Sequence, residues 1–303
     1  MPSEVVAVTT DGRVVVLDSA TGAEQRTLAE GALADADGPA VATDGKTVYF
    51  MRAINDVGCD SDGDRALDPV PEIARVSVNG GAVDTVATGV RYPALSPDGR
   101  YLAYTGVVDC SDAGRSILVQ DLTQQLDTPQ FDSTTPELVT GISGLSWAPN
   151  SRDLLFVLGG ARDGGFPRVL DTSTATPLDQ TPLVLIRDGS GVDAYLGNTS
   201  ELLGTYAAAG DDPDQSLRVT AIDPVISTSV DGAPSEFREL FRFPEQCCGQ
   251  EFSSDASGNH ILGVSSTGDL YRWSTGDAEP TKIDDGITAA VWNPDRTTTT
   301  KAA

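Results

Sequence analysis

The sequence predicts an all-β chain folded as a six-bladed β-propeller, and three observations carry that reading. A short apolar strand, a polar tight turn and a second apolar strand recur along the chain. The second strand of each copy is a near-continuous apolar run, and no stretch shows a helical period with caps. The first and last segments are complementary halves of one such unit.

The clearest copy of the repeat is Tyr92-Pro-Ala-Leu-Ser-Pro-Asp-Gly-Arg-Tyr-Leu-Ala-Tyr104. It returns at 38–50, at Gly144-Leu-Ser-Trp-Ala-Pro-Asn-Ser-Arg-Asp-Leu-Leu-Phe156, and in worn form at 192–204 and 250–263. Units spaced by roughly 40–60 residues predict a solenoid, propeller or array, because one unit cannot bury its own faces without a neighbour. Each copy extends into four strands, A to D. In the third unit A covers about 91–95, the turn is Ser96-Pro-Asp-Gly99, B is 100–107, C is 116–121 and D lies near Glu137–Thr140. Proline early and glycine late in the turn are what tight turns use. The continuously apolar B strands fit sheets covered on both faces.

The ends supply the closure. Val5–Val8, the turn Thr9-Thr-Asp-Gly12 and Val14–Leu17 are strands B and C of a unit that lacks A. The missing piece stands at 286–295, where Gly286-Ile-Thr-Ala-Ala-Val-Trp-Asn-Pro-Asp matches the start of the 144–156 copy. Joining them completes a blade and removes two open sheet edges. One shared blade and five internal ones make six. Residues 1–296 read as a single propeller domain and 297–303, Thr-Thr-Thr-Thr-Lys-Ala-Ala, as a disordered tail.

Ser-Pro-Asp-Gly-Arg-Tyr-Leu-Ala-Tyr resembles the repeat of TolB-like and related WD-like bacterial β-propellers, and the resemblance covers essentially the whole chain. It implies a platform for proteins or a companion to an enzyme domain. Fold alone does not carry a functional claim.

Composition narrows the partners. The formal net charge is −25, from 20 basic and 45 acidic residues. A field of that sign repels phosphates and anionic headgroups, which argues against nucleic acid and polybasic membrane docking. No run of 18 or more apolar residues is present, so no transmembrane segment is expected. Met1-Pro-Ser-Glu4 has neither a basic nor an apolar leader region, so no signal peptide or anchor is read in this sequence.

In a propeller the B–C and D–A connections share one face. The B–C connections are long in four consecutive blades, at about 53–71, 107–115, 159–166 and 207–215, and tight in the first and sixth. They hold Asp56, Asp60, Asp62, Asp64 and Asp68, then Asp109 and Asp112, then Asp163, then Asp211, Asp212 and Asp214. Long loops on a rigid scaffold are where binding concentrates, so these aspartates mark the candidate binding face. Asp60, Asp62, Asp64 and Asp68 alternate like calcium ligands. Against that, Gly63 falls two places early for a helix–loop–helix calcium site and the twelfth position is Pro71, so calcium competes with a plain solvated acidic loop.

Cys59 and Cys110 stand in equivalent places in adjacent B–C connections, and Cys247 and Cys248 enter the sixth blade. Of three possible pairings, Cys59–Cys110 with Cys247–Cys248 is favoured. Zinc would need chelating spacings, and there is no CxxC. Disulfides place the protein outside the cytoplasm, in the periplasm, cell envelope or medium.

Catalysis has little support. His260, the one histidine, opens an apolar B strand and reads as a packed residue, and no GxSxG elbow is present. Trp147 and Trp292 share one repeat position and read as core. The resulting expectation is a monomeric, exported, non-catalytic binding or scaffold propeller, whose protein or small-molecule partner meets the B–C/D–A face. The alternative is a calcium-dependent propeller hydrolase or lyase with an acidic site on that face. Arg52, Arg65, Arg115 and Arg162 lie in or beside the loops and would hold phosphate in a phosphatase of that kind.

Overall fold

The computed structural model describes residues 1–33, 41–59, 68–107, 114–124, 127–134, 141–159, 166–186, 190–206, 217–228, 235–244 and 251–294. Six antiparallel sheets follow one another along the chain. The first holds β1 (Glu4–Thr9), β2 (Arg13–Asp18) and β3 (Glu24–Glu30). The second runs β4 (Val41–Thr43), β5 (Thr47–Cys59), β6 (Asp68–Ser77), β7 (Asp84–Thr88). The third runs β8 (Val90–Leu95), β9 (Tyr101–Val107), β10 (Gly114–Asp121), β11 (Gln130–Asp132). The fourth has β12 (Ile142–Trp147), β13 (Asp153–Leu158), β14 (Phe166–Asp171) and β15 (Leu183–Val184). The fifth comprises β16 (Ser190–Tyr195), β17 (Leu202–Tyr206), β18 (Leu217–Asp223) and, after the detour β19 (Ile226–Ser227), β20 (Glu236–Phe243). The sixth has β21 (Glu251–Ser254), β22 (His260–Val264), β23 (Leu270–Ser274) and β24 (Thr281–Asp284). Finally β25 (Ile287–Asn293) joins the first sheet beside β1, with Val5 opposite Trp292 and Ala7 opposite Ala290. The ring is a six-bladed β-propeller closed by its two ends.

Packing explains the unbroken apolar B strands. Successive residues of a strand face opposite sides of the sheet, and here both sides meet another blade. Val6 and Val8 of β1 pack with Val48 and Phe50 of the second blade. Val5 and Ala7 of the same strand pack with Leu262 and Val264 of the sixth. Four further clusters fill the remaining junctions, so every pair of neighbouring blades shares a core. Trp147 and Trp292 are 5% exposed and belong to these clusters. Each also reaches back across one junction, Trp147 Nε1 donating to the Ala94 carbonyl at 3.0 Å and Trp292 Nε1 to the His260 carbonyl at 3.1 Å.

The repeated turn is a small hydrogen-bonded device. The Ser96 hydroxyl donates to Asp98 at 2.6 Å and accepts from the Tyr101 amide at 2.8 Å, while the Gly99 amide reaches the Ser96 carbonyl at 2.8 Å. Gly99 sits at φ 70°, a conformation that costs glycine nothing.

Three features differ from the sequence reading. The outer strand of the third blade is β11 at Gln130–Asp132, and the expected 137–140 lies outside the described residues. The stretch read as a long loop at 53–71 begins and ends as a paired ribbon, since β5 and β6 stay in register through Ile54↔Val70 and pair again at Gly58↔Pro69 and Cys59↔Asp68. A bulge at 55–57 absorbs the extra residues, which is why Asn55-Asp-Val-Gly58 has a loop-like composition. The fourth sheet has a fifth strand, β19, supplied by the fifth blade. Among the described residues the helical content is one 3-10 turn at Leu178–Gln180.

Candidate functional site

The B–C face has a plain side and an elaborated side. In the first blade β1 and β2 are joined by a tight turn, in which the Gly12 amide meets the Thr9 carbonyl at 2.9 Å and the Arg13 amide meets the Thr9 hydroxyl at 3.0 Å. The sixth blade repeats it, with Gly268 and Asp269 amides on Ser265 at 3.0 and 2.9 Å. In the four blades between, the strands are joined by longer connections that leave from the same face, after Cys59, Val107, Leu158 and Tyr206.

The ribbon of the second blade rises from a fixed stem. Arg52 on β5 and Glu72 on β6 are directly opposite, and the Arg52 guanidinium is ion-paired with Glu72, which is only 2% exposed. Thr85 of β7 accepts from Arg52 at 3.1 Å and donates to Glu72 at 3.2 Å. The Leu33 amide donates to the Met51 carbonyl at 2.8 Å, and Ala32 forms a bridge with Arg52. A charge buried at a strand base is tolerable only when paired and hydrogen-bonded in this way. Arg52 is therefore engaged in the scaffold and is not free to hold a phosphate.

At the same end of the barrel, three consecutive inner strands carry a bulge. The register slips between Arg91 and Ala94 in β8, between Ser143 and Ser146 in β12, and between Val192 and Ala194 in β16. Bulges re-aim side chains and concentrate beside functional sites. In β8 the bulge holds Tyr92 at φ 58°, its amide donating to the Met51 sulfur at 3.3 Å; in β12 Gly144 takes φ 64°. In β16 the extra residue is Asp193. Its Oδ2 is sealed from solvent with no hydrogen-bond partner among the described residues, and burial pushes the carboxyl up to about 7. Sequence reasoning missed Asp193, because Val192-Asp-Ala-Tyr195 looks like ordinary strand alternation. The only signal was a carboxylate at the place where the copies beginning at 92 and 144 have Pro93 and Leu145.

His260 lies at the opposite face, at the start of β22. Its Nδ1 is 2.9 Å from the Ser274 hydroxyl, its ring meets Trp292 edge-on at 6.1 Å, and burial lowers its pKa. It is the packed strand residue the sequence indicated, remote from the acidic connections.

Of the predicted site residues, Asp56 stands in the β5 bulge, and Asp68 opens β6 opposite Cys59. Asp60, Asp62, Asp64, Asp109, Asp112, Asp163, Asp211, Asp212 and Asp214 lie outside the described residues, as do Cys110, Cys247 and Cys248. Among the described residues no group of three or more His, Cys, Asp or Glu is placed to hold a metal, and no helix is long and apolar enough to cross a membrane.

No protein-family model matches this chain. No curated protein matches it by sequence. Solved structures do. TolB from Acinetobacter baumannii superposes with a TM-score of 0.50 at 16% identity, covering 92% of this chain and 67% of TolB. The propeller domain of Myceliophteria thermophila Cps50 (Swd1) gives 0.47 at 13% identity, over 94% of this chain and 82% of that one. The β-propeller domain of the Trilobed protease from Pyrococcus furiosus, described as having an open velcro topology, gives 0.49 at 15% identity, over 80% and 69%. The TolB likeness agrees with the fold that the sheets display, and at this identity it speaks to fold alone.

Proposed function

We propose that this chain is a non-catalytic binding or scaffold propeller of an exported protein, meeting a protein or small-molecule partner on its B–C/D–A face. The observation that supports this most is the asymmetry of that face. Four consecutive blades send long, aspartate-rich connections from it, beside three bulged inner strands, while the first and sixth blades close with minimal turns. A rigid ring with one elaborated sector is a presentation device. The catalytic alternative has less to work with, since His260 is packed at the far face and Arg52 is tied to Glu72. The unit proposed spans residues 1–296, works as a monomer, and carries the Cys59–Cys110 and Cys247–Cys248 pairs.

A calcium titration followed by melting temperature, with a hydrolase and lyase substrate panel run in parallel, tests the reading. Calcium binding through Asp60, Asp62, Asp64 and Asp68 would raise the melting temperature of the wild type but not of an Asp60→Asn/Asp62→Asn/Asp64→Asn variant, and no substrate should turn over. Calcium-dependent turnover abolished by that variant would replace the scaffold with the enzyme. Mass spectrometry of unreduced peptides tests the exported setting; free thiols at both Cys59 and Cys110 would refute it.

A further inference from the structure

A cavity of about 520 Å³ opens in the outer wall between the first and sixth blades, away from the inner strands discussed above. Two contacts bracket it. At the B–C end the Thr10 amide donates to the Gly286 carbonyl at 2.8 Å. At the other end the turn at Gly22 presses so closely on β24 that a Cβ there would lie 1.8 Å from the Ile283 carbonyl oxygen. Between these clamps the blades diverge. Val15, Leu17 and Ile287 back the gap, and half-buried Ile283 forms part of its wall.

The rim is acidic. Asp11, Glu24, Asp284 and Asp285 line the opening, against a single lining cation, Arg13. Arg13 is already divided between Asp11 at 3.0 Å and Glu24 at 2.8 Å. Lys282 nearby is held by Asp269 at 2.6 Å and lies 3.9 Å from Asp285. Half-buried Asp284 accepts only the Asp285 amide, at 2.9 Å, and takes no ion pair among the described residues. Hydrogen bonds from Thr9 and then Arg13 hold Asp11 below the usual carboxylate range, and bonds from Arg13 and then Thr27 do the same for Glu24. Asp11 and Glu24 therefore stay charged at neutral pH, and the rim sets more acidic than basic groups beside the partly exposed side chain of Ile283.

We propose that this inter-blade groove is a docking slot for a lysine or arginine side chain of an extended segment of a partner protein. The aliphatic stem would lie along Ile283 and the charged head would meet Asp284 and Glu24. Long basic side chains bury their stems on apolar surface while keeping the head among polar groups, and the groove offers both in the right order. A chain of net charge −25 attracts any polycation, so the test must separate this slot from the general field.

The probe is the capped pentapeptide Ala-Arg-Ala-Arg-Ala, titrated by amide NMR at about 0.15 M salt, where exposed charges beyond a Debye length of about 8 Å are screened. Saturable shifts should concentrate at Thr10, Gly22 and Asp284–Gly286. Asp284→Asn should weaken binding about three- to fivefold, the scale of one exposed ion pair. Ala23→Arg, at an exposed position in the groove wall, should fill the slot from within and abolish it. A control that removes two exposed carboxylates from the fifth blade, Asp223→Asn with Glu236→Gln, should leave affinity within twofold. Equal weakening by that control, shifts scattered over the surface, or an unaltered affinity in Ala23→Arg would each overturn the slot.

Discussion

Two junctions of the ring are stitched by strands that arrive from elsewhere in the chain, and they are built in different ways. At the seam, β25 runs as a full inner strand beside β1, and its Ile287, Ala290 and Trp292 enter the core shared by the first and sixth blades. At the clasp, two residues of the fifth blade, Ile226 and Ser227, pair with Val184 and Leu183 on the outer edge of the fourth. The seam buries what it contributes. The clasp leaves Val225 39% and Ile226 51% exposed and relies on hydrogen bonds around Leu185 and Ser235. Burial of apolar area is worth far more than a net hydrogen bond. The seam should therefore decide whether the ring folds, and the clasp should trim it.

The largest effect expected is from opening the seam. Deleting residues 286–303 strips β1 of its partner, exposes two sheet edges and removes a tryptophan from the core. The shortened chain should lose cooperative unfolding and aggregate on size-exclusion chromatography. Trp292→Ala, which keeps the strand, should cost about 3–5 kcal/mol in denaturant. A soluble, cooperatively folded deletion variant would show that the ring does not depend on its closure.

The clasped junction also carries a cost that the seam lacks. Asp193 stands at its inner end, on the strand whose Val192 packs against Leu155 of the fourth blade. Its carboxyl titrates near 7 when folded, against 3.8 for the free side chain. Between those values the folded state holds a proton that the unfolded state has lost, so stability falls as pH rises from about 4 to 7 and is flat beyond. At about 1.4 kcal/mol per unit the full penalty is a little over 4 kcal/mol. Partial exposure of the residue trims that to about 2–4 kcal/mol. Asp193→Asn should raise stability at pH 8 by that amount and change little at pH 4, read from urea midpoints at the two values. A gain equal at both pH values would mean that the benefit is unrelated to charge.

These junctions also show what a sequence discloses. The seam was legible because it is a repeat cut in two: 286–295 carries the same phrase as 144–150, and β1 opens without its inner partner. The clasp was not, since strands of two residues have no period and Asp223-Pro-Val-Ile-Ser227 reads as a turn. The stretch at 53–71 was read as a loop because the bulge concentrates Asn, Asp and Gly in the middle of a strand. The location of the candidate face followed from counting residues between B and C strands. Asp193 did not, because its meaning depends on a bulge that only backbone pairing reveals.

Breaking the clasp itself should cost less than either change. Ser235 is 2% exposed, accepts from the Val225 amide at 2.9 Å and donates to the Leu185 carbonyl at 2.5 Å. Ser235→Ala leaves the partly buried Val225 amide without its acceptor and the Leu185 carbonyl without the hydroxyl, a loss of about 1–2 kcal/mol. Faster amide exchange at Val225 and Leu185, with the rest of the ring unchanged, would mark the clasp as a local fastening. Exchange spreading through both blades would instead give it the rank of the seam.

The smallest effect concerns a turn that both junctions leave untouched and that sets a baseline for local strain. At the place where Gly45, Gly99 and Gly258 take φ values of 79°, 70° and 70°, the fourth blade has Ser151 at 52°. Side chains with a Cβ disfavour that conformation by about 1–2 kcal/mol. The serine recovers part of the cost, because its hydroxyl accepts the Asp98 amide of the third blade at 3.3 Å, a long bond. Ser151→Gly should relieve the strain, lose the weak bond and pay some unfolded-state entropy, for a net gain of about 0.5 kcal/mol. Ser151→Ala keeps the strain and loses the bond, so it should fall below wild type by a similar margin. Gly99→Ala imports the strain into the third blade without any hydroxyl and should cost about 1 kcal/mol. The three midpoints should fall in the order Ser151→Gly, wild type, Ser151→Ala. An Ala variant at or above wild type would mean that the Asp98 contact contributes nothing, and a Gly variant at or below wild type would mean that the φ angle is unstrained there.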